Sequence, residues 1–242
     1  MTTTRPAFYA LAPGGWRDYV TLLHPPYTLW HLSYVAIGAA LAPDLEPARL
    51  VAALAAFFLA VGIGAHALDE LNGHPLGTRI SDRALVVLAA ASIGGAVAIG
   101  TYASIAFTPW LAPLVVAGAF IVCAYNLELF GGAFHSDAWF ALAWGAFPLL
   151  TAYLAVAERM TIEALVAGVF AAFLSLAQRH LSTQVRTVRR RVTTVEGTLE
   201  LADGTREAVT RKTLTEAPEA ALRAMTVAVV SLAVALLVLR LG

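Results

Sequence analysis

The sequence predicts an all-α integral membrane protein, a bundle of about seven transmembrane helices that forms one domain over residues 1–242. Two compositional features support this prediction. Charged residues make up 13% of the chain and hydrophobic residues 59%, whereas soluble domains carry roughly a quarter charged residues. The mean hydropathy is +0.73. Because lipid offers no hydrogen bonds to backbone groups, apolar runs that cross the bilayer are expected to be helices.

Seven apolar runs approach the length of roughly 20 residues that a membrane-spanning helix needs. They cover residues 27–43, 48–71, 84–107, 110–130, 138–157, 161–181 and 219–241. Proline, glycine or charged residues interrupt the chain between them, as in His74-Pro75-Leu76-Gly77 and Gly131-Gly132. Residues 1–26 contain four prolines and are mixed in polarity, so we expect them to form a cytoplasmic arm.

The distribution of basic residues predicts the orientation, since cytoplasmic loops carry an excess of Arg and Lys. One predicted side carries Arg5, Arg17, Arg79, Arg83 and seven basic residues between 186 and 212, and the other carries Arg49, Arg159 and Arg240. The N-terminus is therefore expected in the cytoplasm and the C-terminus outside, in a cell inner membrane or its equivalent. The formal net charge is zero, so charge predicts no nucleic-acid partner. The single cysteine excludes an internal disulfide and a Cys-based zinc site.

The segment 182–218 is the only long polar stretch after the first helix, and it predicts a small cytoplasmic β-hairpin between helices six and seven. Residues 193–201 and 205–211 are rich in Thr, Val and Leu, and Asp203-Gly204 between them is a typical hairpin turn. The hairpin is expected to be a solvated connector or, as a functional alternative, a lid or a contact with anionic lipid.

Ionisable residues collect at one predicted membrane face, which is the strongest functional signal in the sequence. Charged groups at membrane depth are costly, so they usually face a cavity and have a function. The catalytic candidates are Asp69, Glu70, His66 and Glu128, and the candidate metal ligands are His66, Asp69, Glu70, Glu128, His135 and His180. His66 and the two carboxylates that follow it lie at i, i+3 and i+4 and share a helix face. The alternative is that these groups hydrogen-bond each other at solvated helix ends.

Two further histidines lie near the start of the first helix. His24 precedes Pro25-Pro26 and is interpreted as a cap or packing residue. His31 is deeper and is equally compatible with lining the cavity and with packing in the core.

The run Asp69-Glu70-Leu71-Asn72-Gly73-His74-Pro75-Leu76-Gly77-Thr78-Arg79-Ile80-Ser81 resembles the UbiA superfamily of intramembrane prenyltransferases. In that family an Asp-rich helix end leads through a loop of the form Arg-Pro-Leu-Pro-x-Gly-Arg-Ile-Ser into the next helix. The resemblance is most specific at 66–85 and extends loosely over 17–190. It implies an isoprenoid diphosphate substrate, Mg or Mn as the cofactor, and either transfer to an acceptor or terpene-cyclase-like cyclisation. Expected substrate contacts are Asn72, Arg79, Arg83, Tyr125, Gln184 and Arg186.

The sequence departs from the family pattern at both Asp-rich motifs. The first keeps only Asp69, with His66 where an acid is usual, and the second is replaced by a segment from His180 to Gln184. Because imidazole favours transition metals, an Fe or Zn hydrolase or oxidase of a lipophilic substrate, with one or two metal ions, is the alternative. A third possibility is a non-enzymatic membrane binding protein or transporter.

Overall fold

The computed structural model describes residues 5–242 as a bundle of helices with one small hairpin. The elements are α1 (Trp16–Leu22), α2 (Pro25–Ala40), α3 (Pro47–Leu71), α4 (Asp82–Ala106), α5 (Leu111–Asn126), α6 (Asp137–Ala157), α7 (Ile162–Arg190), β1 (Thr198–Glu200), β2 (Arg206–Ala208) and α8 (Arg211–Leu241). A tight turn, Leu129–Gly132, in which Phe130, Gly131 and Gly132 have positive φ, lies between α5 and α6.

Five helices, α3, α4, α6, α7 and α8, are long and apolar enough to cross a membrane. By the length and apolar composition of these helices, the prediction of a polytopic helical membrane protein is confirmed. Helices α2 and α5 have 16 residues each, so the count of seven spans stays a prediction.

Two predicted boundaries at the polar stretch are wrong. Helix α7 continues to Arg190 and α8 begins at Arg211, so the non-helical segment is shorter than the predicted 182–218. Beyond residue 181 the helix remains amphipathic, with Ser182, Val185 and Val188 buried on one face, and packing of that face extends the helix past its apolar run.

Helix α2 lies in the interior of the bundle, where Tyr34 and Val35 are fully buried. It packs against α6 and α8, α7 packs on α6 and α8, and α4 packs against α3 and α5. The contact of α2 with α6 depends on Gly38, because a Cβ there would overlap the carbonyl oxygen of Leu149. Small residues at such crossings let helix backbones approach closely.

Helices α3 and α6 each contain a π-helical stretch, Phe58–Ala65 and Ala141–Ala146. In a π-helix the hydrogen bonds run from i to i+5, and the change of register frees backbone carbonyls for other donors. These stretches lie next to the candidate site, where two histidines bond to such carbonyls.

The predicted hairpin is confirmed, with β1 and β2 antiparallel and Thr198 opposite Ala208. Asp203 accepts hydrogen bonds from the backbone and hydroxyl of Thr205, and Gly204 adopts a positive φ of 84° in the turn. Both strands are exposed throughout.

Candidate functional site: a polar cavity at one end of the bundle

The N-terminal arm folds back over one end of the bundle. Leu11 donates its backbone N–H to Thr21 Oγ1 at 3.0 Å, and Asp18 accepts from Gly14 N at 2.9 Å. From the end of α7, the Arg190 guanidinium donates to the Pro6 carbonyl at 3.3 Å. The arm, rather than the hairpin, therefore covers the space between the helix ends.

Beneath the arm lies a cavity of about 150 Å³, here called the polar cavity. It is formed where α2, α3, α5, α6 and α7 meet. Its lining includes Pro6, Phe8, Tyr9, His24, Tyr27, His31, His66, Asp69, Tyr125, Asn126, His135, Phe140, Trp144, Gln178, Arg179, Ser182, Arg186 and Arg190.

Helix α7 supplies three arginines to the polar cavity, Arg179, Arg186 and Arg190. Their spacings of seven and four residues place them on one helix face. The cavity-lining carboxylate among the described residues is Asp69, so the formal charge of the lining is two positive with neutral histidines. Such a balance favours an anionic ligand.

The three guanidinium groups differ in how far they are already paired. Arg179 donates to Asp137 at 2.8 Å and also to the Tyr125 hydroxyl. Arg186 donates to the hydroxyls of Ser182 at 3.3 Å and Thr183 at 2.9 Å. Within residues 5–242 no carboxylate forms an ion pair with Arg186, which leaves its positive charge available to a ligand.

Three histidines of the polar cavity are held by backbone carbonyls through Nδ1. His31 bonds to Trp144 O at 2.8 Å, His66 to Gly62 O at 3.1 Å, and His135 to Tyr125 O at 3.1 Å. Gly62 and Trp144 lie in the two π-helical stretches. Because a carbonyl only accepts, Nδ1 carries the proton and Nε2 retains its lone pair in each ring.

His24 is held differently, through a 2.8 Å hydrogen bond between Nδ1 and the Tyr9 hydroxyl, and it stacks on His66 with ring centroids 4.2 Å apart. Its Nε2 is buried and has no hydrogen-bond partner among the described residues. Burial lowers the pKa of His24 well below its ordinary value, helped by His66, Arg190 and Arg186. His24 is therefore neutral in the folded protein, and burial likewise raises the pKa of Tyr9.

This burial predicts acid sensitivity. When folding lowers the pKa of a histidine, the side chain is protonated in the unfolded protein but not in the folded protein as pH falls below the unfolded pKa of about 6.5. Protonation then favours the unfolded state, so the free energy of unfolding decreases below that pH. We expect the melting temperature of the detergent-solubilised protein to fall between about pH 6.5 and pH 5, and His24→Asn to flatten that fall. Thermal melts across this range measure it. His180→Asn, at an exposed histidine, is the control, and an unchanged pH profile in the His24 variant would contradict the assignment.

Asp69 and Glu70, adjacent in sequence, have separate roles. Asp69 faces the polar cavity, and no hydrogen bond to its carboxylate forms within the described chain. Glu70 is fully buried outside the cavity and accepts from Leu76 N at 2.9 Å, Thr78 N at 2.8 Å and the Thr78 hydroxyl at 2.9 Å. Glu70 therefore holds the 72–80 loop in place, and its oxygens are occupied by that loop.

The structure brings together five of the residues proposed from the sequence: His66, Asp69, Tyr125, His135 and Arg186. The others lie outside the polar cavity: Glu70, Asn72, Arg79, Arg83, Glu128, His180 and Gln184. Four of these side chains either form hydrogen bonds to backbone carbonyls or are exposed to solvent. Asn72 donates to Asn126 O and Gln184 to Leu214 O. The side chains of Glu128 and His180 are more than half exposed.

The sequence analysis missed five cavity-lining residues, Tyr9, Tyr27, Gln178, Arg179 and Arg190. The seven-and-four spacing that continues from Arg179 could have identified Arg190. No comparable pattern marks Tyr9, because it depends on how the arm folds back. His24, interpreted as a packing or cap residue, also lines the cavity.

The residues of the polar cavity do not fit a metal centre. Over residues 5–242, no three side chains from His, Cys, Asp and Glu gather as a group able to hold a metal ion. The carboxylates expected to accompany Asp69 are Glu70, which is saturated by loop donors, and Glu128, which is exposed. Zinc in proteins takes three or four such ligands, and Mg²⁺ at phosphate sites is held by one or two carboxylates together with the substrate phosphates. Among the described residues, Asp69 is the one carboxylate that lines the cavity.

No family model, curated protein or solved structure matches this chain. The resemblance to UbiA prenyltransferases, carried by residues 66–85, stays a prediction.

Proposed function

We propose that the protein is a membrane-embedded enzyme that binds a lipophilic substrate by its phosphorylated head group, with an isoprenoid diphosphate as the best-fitting class. The observation that carries this proposal is the convergence of Arg179, Arg186 and Arg190 on one cavity whose lining, within residues 5–242, includes a single carboxylate. Guanidinium groups bind phosphate oxygens in a bidentate manner, and they do so more strongly away from bulk water.

An apolar groove supports a hydrocarbon substrate. It has a volume of about 100 Å³, lies between α3, α4, α5 and α6, and is lined by residues such as Phe57, Ala60, Val97, Val122 and Phe147. Phe147 follows Trp144 of the polar cavity by one helical turn. A head group in the polar cavity would therefore place an attached chain toward the groove.

Aromatic rings at the polar cavity suit a carbocation. Phe140 and Trp144 stack in parallel with centroids 5.8 Å apart, and Tyr125 lies 4.4 Å from Trp144. In the proposed reaction, the allylic C–O bond breaks and its electron pair leaves on the diphosphate, whose charge the arginines stabilise. The π faces stabilise the allylic cation that remains.

Asp69 and His66 are the proposed proton acceptors. When an acceptor molecule attacks the cation, a new bond forms to the allylic carbon and the acceptor loses a proton. In cyclisation, the proton leaves a neighbouring carbon instead. The unbonded Asp69 carboxylate and the lone pair on His66 Nε2 both face this space.

The proposal includes a membrane arrangement with seven spans and a cytoplasmic polar cavity. Helices α2 and α5 would complete the seven. The opposite end of the bundle holds Arg49, paired with Glu158, and Arg240, which donates to the carbonyls of Ala42 and Pro43. Most of the other basic residues lie toward the cavity end, as the positive-inside rule requires for this orientation.

The transition-metal alternative has one supporting observation: three histidines are anchored through Nδ1, as metal ligands commonly are. It ranks second because these rings do not gather as a ligand set. A transporter or passive binding protein ranks third. Capture of a phosphorylated lipid without turnover would favour it.

Diphosphate release by the detergent-purified protein tests the proposal. Prenyl diphosphates of several chain lengths are incubated without added metal, with Mg and with Mn. We expect diphosphate release in the wild type, and in Asp69→Asn a roughly 100-fold loss of the deprotonated prenyl product, because a positioned proton acceptor contributes about that factor. Asp44→Asn, at an exposed position on the other end of the bundle, is the matched control. An absence of release under every condition would contradict the proposal.

A further inference from the structure

We infer that the polar cavity binds its phosphate or diphosphate group directly through α7 guanidinium groups and without a bridging divalent cation. This inference rests on the proposed function and goes beyond it, because the sequence resemblance implies Mg or Mn at the same place. It follows from which charges line the cavity and from how each carboxylate nearby is used.

The first argument is electrostatic. Arg179, Arg186 and Arg190 face the cavity together, with Asp69 as the opposing carboxylate. A divalent cation placed beside Asp69 would add two positive charges to a lining in which arginines already outnumber the carboxylate by two, although Arg179 is paired with Asp137 outside the cavity. An anion of charge two or three would instead compensate that excess. Like charges at short range repel strongly where water is largely excluded.

The second argument concerns the ligands that a metal would need. Glu70 is the nearest carboxylate along α3, and three donors from Leu76 and Thr78 occupy its oxygens. Asp137 is paired with Arg179 at 2.8 Å. On α7, where the family carries its second acidic motif, the cavity-facing positions hold no carboxylate: they are Gln178, Arg179, Ser182, Val185, Arg186 and Arg190, while His180 and Gln184 lie outside.

The third argument is that the cavity contains unsatisfied polar atoms. His24 Nε2 and Gln178 Oε1 are buried without hydrogen-bond partners among the residues described, and both residues line the cavity. Buried polar groups are normally paired, so these atoms indicate a polar ligand or ordered water. A protonated phosphate oxygen offers both a donor and an acceptor to such atoms.

The two modes of binding predict opposite effects of Asp69. If a metal bridges Asp69 to the diphosphate, removal of the carboxylate abolishes binding. If the arginines bind the anion directly, Asp69 repels it, and Asp69→Asn strengthens binding or leaves it unchanged.

The experiment is calorimetric titration of the full-length protein in detergent with inorganic pyrophosphate, in excess EDTA and in excess MgCl₂. We expect pyrophosphate to bind in excess EDTA at least as tightly as in excess MgCl₂, because magnesium complexes free pyrophosphate in solution. We expect Arg186→Ala to weaken binding roughly 30-fold or more, and Asp69→Asn to bind at least as tightly as the wild type. The matched control is Arg191→Ala, which replaces the exposed arginine directly after the last residue of α7.

The outcomes separate the inference from the proposed function. Binding that requires Mg and is lost in Asp69→Asn would overturn the direct-binding inference and leave the proposed substrate class in place. Absence of pyrophosphate binding under both conditions, in protein that elutes as a single folded species, would count against the anion site itself and so against both.

Discussion

Replacing Arg186 with alanine is expected to lower kcat/KM for a prenyl diphosphate by roughly 100- to 1,000-fold, about 3–4 kcal/mol of transition-state stabilisation. Arg186 lines the polar cavity, and its guanidinium bonds to the hydroxyls of Ser182 and Thr183 without an ion-pair partner in the described chain. Its charge is therefore the one that a leaving diphosphate can use most fully. Steady-state kinetics of diphosphate release measure the effect.

Two variants make this result specific. Arg186→Lys keeps the charge but loses the planar, bidentate guanidinium, so its activity should lie between the wild type and the alanine variant. Arg191→Ala removes an exposed arginine nearby and should leave activity unchanged. Equal losses in the Arg186 and Arg191 variants would show that only the general basicity of this end matters.

Replacing Glu70 with alanine is expected to cost roughly 3 kcal/mol of stability and to lower the melting temperature by about 6–12 °C. The fully buried carboxylate accepts two backbone N–H groups and one hydroxyl from Leu76 and Thr78. Without it, these donors remain buried and unpaired. Thermal unfolding of the purified protein followed by circular dichroism measures the change.

Glu207→Ala removes an exposed glutamate in the hairpin and should change the melting temperature little. Hydrogen exchange gives a second measurement, in which Glu70→Ala should raise the exchange of the 72–80 loop selectively. If Glu70→Ala kept its stability but lost activity, Glu70 would act in the reaction rather than in holding the loop.

The membrane-helix character and the hairpin could be predicted because they depend on local properties. Apolar runs bounded by Pro43 or Gly131-Gly132 form helices whichever way those helices pack against each other. Asp203-Gly204 favours a tight turn through the backbone preferences of these two residues. The continuation of α7 to Arg190 was harder to predict, since packing of its buried face extends a segment that is polar by composition.

The contents of the polar cavity were predicted only in part. The pooling of His66, Asp69, His135 and Arg186 follows from helix ends that meet at one end of the bundle. The roles of Asp69 and Glu70 could not be separated from sequence, because both lie on the same helical turn. Which carboxylate meets the cavity depends on the rotation of α3 and on the loop donors placed against Glu70.

The amino-acid sequence alone implies apolar helices with imidazole, carboxylate and guanidinium groups toward one end of them, because hydrophobicity and charge position are properties of single residues and their neighbours. Three features became visible only in the folded chain: the N-terminal arm covers the cavity, Tyr9 reaches His24, and α7 presents three arginines to one carboxylate of the described residues. Those contacts join residues far apart in the chain, and they depend on helix rotation and packing, which local sequence patterns leave undetermined.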